Sequence, residues 1–236
     1  MVTLSRVSKK YGKDMVVRDL SLHIKDGVVF GFLGQNGSGK TTTMKMIVGI
    51  TTPSAGNIEI DGTSSAEVLV HEKLGYMPEA PYFYDRLTGL EFLRFSGELF
   101  LGSKQTDAQC EDLLKRVGIY GARNKAIWTY SKGMKQRLGF AQALVNDPKY
   151  VFLDEPLDGL DPIGRREIKE IIKSLKREGK TVFFNSHILY DTEELCDEIG
   201  IIDNGMLLYH GPVKDFSNGS SLEGRFISLV EKNSKI

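Results

Sequence analysis

Gly34-Gln35-Asn36-Gly37-Ser38-Gly39-Lys40-Thr41 sets three glycines, a lysine and two hydroxyl residues within one short run. Glycines permit the backbone angles that turn successive N–H groups inward on an anion. A lysine closing such a loop reaches the β- and γ-phosphates of a nucleotide, and the hydroxyl after it ligates Mg²⁺. A second chemical group follows at Asp154-Glu155, after the apolar run Tyr150-Val151-Phe152-Leu153. In a phosphate-loop enzyme the first carboxylate helps to hold Mg²⁺, usually through water, which suits Asp154. Glu155 then stands where it can polarise a water for in-line attack on the γ-phosphate. Taken alone, the pair also reads as a strand followed by an acidic turn. Beside the phosphate loop the catalytic reading prevails.

The elements that must position these groups alternate along the chain. Val28–Leu33 reads as a buried strand running into the glycine loop, with a helix from about Thr41 to Gly49. Asn57–Ile60 and Leu74–Met77 read as strands, stopped by Asp61-Gly62 and by Pro78. Thr88–Glu91 and Thr106–Gln109 fit capping boxes. Phe92, Phe95 and Leu99 follow the first box at helical spacing, and Leu113, Leu114 and Val117 follow the second, with Gly118 as its stop. A third helix is expected from Ser131 to Val145, so that about 85–147 forms an all-helical insertion. Strands return at Tyr150–Leu153 and Thr181–Asn185, around an amphipathic helix carrying Ile168, Ile171, Ile172 and Leu175 and closed by Gly179. Glu193–Asp197 is expected as a short helix, and Ile199–Ile202 with Met206–Tyr209 as a hairpin. The alternation implies a mainly parallel sheet covered on both faces. The tail after Gly211 is weakly patterned, with Phe226, Leu229 and Val230 able to dock a last helix.

Composition narrows the classes of function. The chain has 236 residues, with 31 basic against 31 acidic side chains, which argues against a dedicated nucleic-acid binder. Two cysteines, Cys110 and Cys196, lie far apart, so a disulfide framework or zinc site is not expected and a reducing cytosolic setting is. Met1–Lys10 is polar and lacks an apolar signal core. The apolar runs are strand-length, far below the ~20 residues of a membrane helix. Any membrane span is therefore expected from another chain. A GTPase would need Asn-Lys-x-Asp, and Asn124-Lys125-Ala126-Ile127 lacks the carboxylate.

Tyr130-Ser131-Lys132-Gly133-Met134-Lys135-Gln136-Arg137 is similar to the signature Leu-Ser-Gly-Gly-Gln of ATP-binding cassette (ABC) proteins, followed by the usual Gln-Arg. From Tyr11 to about Gly211 the chain resembles the nucleotide-binding subunit of an ABC transporter. The resemblance implies a P-loop α/β fold: a mainly parallel sheet, an antiparallel β subdomain and an inserted helical subdomain. It implies one domain over 1–211, with 1–84 and 148–211 as catalytic core, 85–147 as signature subdomain and 212–236 as tail. It implies ATP held by Gly34, Gln35, Asn36, Gly37, Ser38, Gly39, Lys40, Thr41 and Thr42, with Tyr11 stacked on adenine. Tyr11 also reads as an ordinary surface or core tyrosine. The resemblance further implies that Ser131 and Gly133 of a second subunit cap the nucleotide, that Asp161 lies at that subunit interface, and that His187 senses the γ-phosphate. Asp161 equally reads as a helix cap before Pro162, and the two roles are compatible.

Two positions depart from the family pattern. Glu79 stands where the family has a glutamine that touches Mg²⁺ and links nucleotide to the transmembrane partner; its oxygens remain able to ligate the metal. Lys132 stands where the family has glycine. A cation opposes the dipole at a helix start, so Lys132 is expected near an incoming anion. Gly75–Glu79, Tyr84–Leu87 and Thr88–Leu93 are similar to subunits of two-component exporters. The expected protein is thus an ATPase subunit that works with Mg²⁺, pairs head to tail with a second such subunit, and drives a separate permease, toward export, from the cytoplasmic face of the membrane. A soluble ABC-type ATPase for cofactor assembly or another remodelling process is the alternative.

Overall fold

A computed structural model describes residues 1–101, 107–217, 219 and 221–233. The chain runs β1 (Val2–Tyr11), β2 (Asp14–Ile24), β3 (Val29–Leu33), α1 (Lys40–Ile47), β4 (Ala55–Ile60), β5 (Thr63–Ser64), α2 (Val68–His71) and β6 (Leu74–Met77). It continues through α3 (Gly89–Leu101), α4 (Asp107–Arg116), α5 (Lys132–Gln142), β7 (Tyr150–Asp154), α6 (Pro162–Arg177) and β8 (Thr181–Ser186). It ends with α7 (Leu189–Leu195), β9 (Glu198–Asp203), β10 (Met206–Pro212), α8 (Val213–Ser217) and α9 (Leu222–Asn233). Two compact units result: Met1–His71 with Thr181–Ile236, and Glu72–Lys180.

In the first unit β3 is the fully buried centre of a sheet. It pairs in parallel with β8, Val29 to Val182 through Leu33 to Ser186, and with β9, Phe30 to Glu198 through Leu33 to Ile201. Phe30, Phe32 and Phe183 pack their rings at 5.3 to 6.5 Å and dry out that core. The expected hairpin is present: β10 pairs antiparallel with β9, and Asn204 and Gly205 both take positive φ in the turn.

A second sheet in this unit, ordered β2-β1-β4-β5, contains a hairpin absent from the sequence reading of the first 24 residues. Its apolar alternation is broken by bulges. Leu4 pairs with Leu22 but Val7 with Leu20 and Lys9 with Val17, and Arg6 and Asp19 take positive φ. The amides displaced at the bulges donate to the hydroxyls of Ser21 and Ser8. The tail is also more ordered than its pattern implied. Val213, Phe216 and Leu222 join Leu33, Ile199 and Ile201 in one apolar cluster, with Phe226 and Leu229 against it. The helix expected at Glu193–Asp197 lies earlier, at Leu189–Leu195, because the Asp197 carboxylate accepts from Val29 N–H and Cys196 is already extended.

In the second unit β6 and β7 pair in parallel, Leu74 to Tyr150 through Met77 to Leu153. The amphipathic face of α6 is buried at Ile168, Ile171, Ile172 and Leu175, as its spacing predicts. Thr106, expected to cap α4, lies outside the described residues. α3 differs from expectation in which face it buries. Phe92 is buried together with Leu90 and Leu93, whereas Phe95 and Leu99 are 37% and 69% exposed.

The capping box of α3 forms in both directions: Glu91 N–H donates to Thr88 Oγ1 at 3.2 Å, and Thr88 N–H donates to Glu91 Oε2 at 2.8 Å. These donors, first the Thr88 backbone and then its hydroxyl, lower the Glu91 pKa. A depressed carboxylate stabilises the fold above its unfolded pKa and loses that contribution as pH falls through the folded value. Thr88→Ala is expected to cost about 1 kcal/mol in urea unfolding at neutral pH. Glu91→Gln is expected to flatten the acid dependence of stability below about pH 4.3, the ordinary glutamate value.

Candidate active site

The glycine loop leaves β3 at Leu33 and enters α1 with Gly39 as its N-cap at φ 110°. No side chain caps α1, so its first N–H groups face outward as the loop needs for an anion. Backbone must pass through tight quarters here. A Cβ on Gly34 would sit 2.3 Å from Ile202 O and 2.5 Å from Ser38 Oγ, and one on Gly39 would sit 2.9 Å from Val16 O. Lys40 is only 6% exposed, and its ammonium donates to Gly34 O at 2.8 Å and Gln35 O at 3.1 Å. Ser38 N–H donates to Gln35 O, whereas the buried Ser38 hydroxyl has no hydrogen-bond partner among the described residues. Gln35, Asn36 and Gly37 are exposed, and Thr41 and Thr42 half-buried. A cradle of amides, an inward ammonium and an unsatisfied hydroxyl fits a polyphosphate.

Strand register brings other residues to this loop. Because Leu33 pairs with Ser186, Gly34 and the exposed His187 leave neighbouring strands at the same edge. Val16 and Val17 of β2 pack on Gly39, and the same end of the hairpin pairs Asp14 with Tyr11. Tyr11 is half exposed there, with the Lys9 ammonium 4.9 Å from its ring centroid. An aromatic face beside a phosphate cradle suits a nucleobase.

The second unit repeats the arrangement with carboxylates. Met77 pairs with Leu153, so Pro78-Glu79 and Asp154-Glu155 both leave the carboxyl edge of β6 and β7. Asp154 is 1% exposed, whereas Glu79 is exposed. Glu155 takes φ 50°, a costly conformation for a side chain with a Cβ. Its carbonyl accepts from the buried amide of Gln136 at 3.1 Å and from Asp158 N–H at 3.1 Å, which holds the turn. Gln136 therefore helps to set the backbone turn at Glu155. Its signal was the Gln-Arg after the signature, which spacing alone does not connect to Glu155.

Ser131 caps α5, accepting from Met134 N–H at 3.2 Å. Leu160 packs 3.5 Å from the position a Cβ would take on Gly133. Lys132 lies across Gly159 and binds the Asp158 carboxylate at 2.9 Å. A carboxylate of its own chain thus supplies the local reason for a cation at this helix start. Asp161 caps α6, accepting from Gly164 N–H at 2.6 Å, with Pro162 at the first helical position. The signature turn and the loop Asp158–Asp161 are consequently packed as neighbours. Tyr76, unremarked in the sequence, lies in β6; burial first, and then Asp154 and Glu79, push its phenol pKa well above the ordinary value.

The family model described as "ABC transporter" matches residues 17–158. The chain belongs to the ABC transporter family. An uncharacterised ABC transporter ATP-binding protein of Synechocystis is 46% identical over 202 residues, covering 84% of this cassette and 57% of that protein. The bacitracin transport ATP-binding protein BcrA of Enterococcus faecalis is 38% identical, covering 88% of the cassette and 68% of that protein. The cassette spans less than two thirds of the length of its cyanobacterial relatives. A solved ATP-binding subunit of an ABC transporter superposes with a TM-score of 0.88 at 28% identity, covering 97% of the cassette and 99% of that chain. The fold is thus that of ABC ATPases, as the resemblance implied.

Gly34→Ala is expected to leave the cassette folded by circular dichroism. It should weaken binding of a fluorescent ATP analogue at least about tenfold, because the Cβ displaces the backbone that approaches the phosphate. Unchanged affinity would remove the loop from the site.

Proposed function

We propose that this cassette binds and hydrolyses ATP and powers transport, toward export, through a separate transmembrane permease, as one of two cassettes paired head to tail. The observation that carries this reading is the phosphate cradle itself. An uncapped helix start, the inward Lys40 ammonium and the unsatisfied Ser38 hydroxyl stand in a chain whose other parallel strand pair ends in Asp154 and Glu155.

The roles follow from chemistry. Loop amides and Lys40 hold the β- and γ-phosphate charge, and Tyr11 stacks on adenine. Thr41, Asp154 and Glu79 offer the hard oxygen donors that suit Mg²⁺, which commonly takes one or two protein carboxylates, phosphates and water. Bound there, the cation neutralises charge on the phosphates. Phosphate oxygens of the nucleotide and water would complete the set. Glu155 accepts the proton of the attacking water on its carboxylate as the water oxygen bonds to the γ-phosphorus and the bond from that phosphorus to the β–γ bridging oxygen breaks, giving ADP and inorganic phosphate. His187 and Lys40 face the charge on the departing phosphate. Ser131 and Gly133, at the exposed start of α5, complete the site of the second cassette.

A band of exposed apolar side chains in the second unit offers a docking surface for such a permease. Tyr82 is 86% exposed, and Tyr84 packs edge-on against Phe95 at 5.4 Å, with Leu99 on the same helix. Such a patch suits an apolar surface on another protein. Among the described residues no helix is long and apolar enough to cross a membrane. A permease would hold the cassette at the cytoplasmic face. The relationship to a bacitracin transport protein supports transport, and the exporter-like Gly75–Glu79 and Tyr84–Leu93 segments support the outward direction.

Glu155→Gln tests the assignment of the base. It removes the proton acceptor and keeps the side-chain shape. Turnover is expected to fall at least about 100-fold, with ATP binding retained and an ATP-dependent dimer accumulating in size-exclusion chromatography. Normal turnover would overturn the assignment. Copurification of a multi-span protein, lost on Tyr82→Ser with Leu99→Ser, would separate a transport role from soluble assembly.

A further inference from the structure

Tyr76 occupies a position that packing alone does not account for. It pairs with Phe152 in the parallel β6–β7 ladder. Paired residues of a parallel ladder point to the same face, and residues two apart share a face. Tyr76 and Asp154 therefore stand on one face of the strand pair, one step apart along it. Glu79 follows three residues after Tyr76, in the loop leaving that edge. The Tyr76 hydroxyl is fully buried and has no hydrogen-bond partner among the described residues. Leaving a hydroxyl in that condition forfeits its hydration without a hydrogen bond in return, whereas phenylalanine would fill the same space at no such cost. A hydroxyl kept under that penalty has its use in another state of the protein.

We propose that Tyr76 is a positioning residue for the divalent cation site: its O–H donates to the oxygen atoms held between Asp154 and Glu79 once the nucleotide and cation are in place. This rests on the ATPase reading above and adds to it a residue that sets cation affinity without touching the reacting atoms. The departure at position 79 fits the same picture. A carboxylate there brings a second negative charge to the edge that already holds Asp154, and a neutral donor between the two lowers their mutual repulsion.

The test uses Tyr76→Phe in a Glu155→Gln background, where bound ATP is not turned over. Mn²⁺ serves as the probe, its binding read by paramagnetic resonance at saturating ATP. ATP affinity in EDTA and thermal unfolding without ligands are read beside it. The expected result is Mn²⁺ affinity lowered about tenfold, the scale for removing a hydrogen bond behind a metal ligand. ATP affinity in EDTA should be unchanged, and the ligand-free melting temperature equal or higher. Adding Glu79→Gln should shrink the effect of Tyr76→Phe, since the two groups act on one site. Unchanged Mn²⁺ affinity overturns the proposal, as does a ligand-free protein destabilised to the same extent, which would mark the hydroxyl as structural. Absence of ATP-dependent Mn²⁺ binding already with Tyr76 present overturns both this proposal and the ATPase reading. Intact binding with no response to Tyr76→Phe overturns this proposal alone.

Discussion

When two parallel strands pair in register, the loops that follow them are forced out at the same edge, because both chains run in one direction and end at one level. That constraint organises each half of this molecule. Leu33 against Ser186 sends the phosphate loop and His187 out together. Met77 against Leu153 does the same for Glu79 and the Asp154-Glu155 pair. None of these side chains needs a dedicated scaffold. The register positions them, and the register is held by strands whose residues are nearly all buried. A slip of one residue would turn every core side chain of β3 to the opposite face.

The same economy explains which parts were legible in the sequence. The phosphate loop is contiguous, with contacts at 2.3 and 2.9 Å requiring glycine at Gly34 and Gly39 and a positive φ favouring it at Gly37, so residue types alone reveal it. The face of α6 and the β9–β10 turn are local, and their periodicity and turn residues read directly. The β1–β2 hairpin was not legible, because bulges near Arg6 and Asp19 shift the register and erase the period of two. The partner of Lys132 was not legible either. Asp158 reaches it only because the loop after β7 folds back over the start of α5, a contact that strand and helix patterns do not encode. Tyr76 was not legible as a site neighbour, since its place beside Asp154 depends on the pairing of β6 with β7.

Glu155 shows how the second unit holds a strained group in place. A positive φ at a residue with a Cβ costs roughly 1–3 kcal/mol and persists only where surrounding contacts over-determine it. Here the Gln136 amide and the Asp158 N–H both bind the Glu155 carbonyl, one from the signature helix and one from the following loop. The strain turns the chain sharply after Asp154, so that two consecutive carboxylates stand in different surroundings rather than crowding one. Asp154 stays buried while Glu155 is left partly accessible to water.

Asp158 then acquires a double function. Its backbone N–H closes the Glu155 turn, and its carboxylate holds Lys132 across Gly159. Both groups of the ion pair are largely exposed, so the pair contributes at most about 1 kcal/mol to stability. Its importance is geometric. It ties the start of α5, with Ser131 and Gly133, to the loop ending at Asp161, and Leu160 packs under Gly133 in the same junction. A nucleotide phosphate arriving at Ser131 would compete with Asp158 for the same ammonium. Because Asp158 also closes the Glu155 turn, that competition would be felt at the backbone of Glu155, the base of the proposed reaction. The Lys132 departure from the family pattern thus places an exposed charge where the start of α5 meets the loop that closes the Glu155 turn.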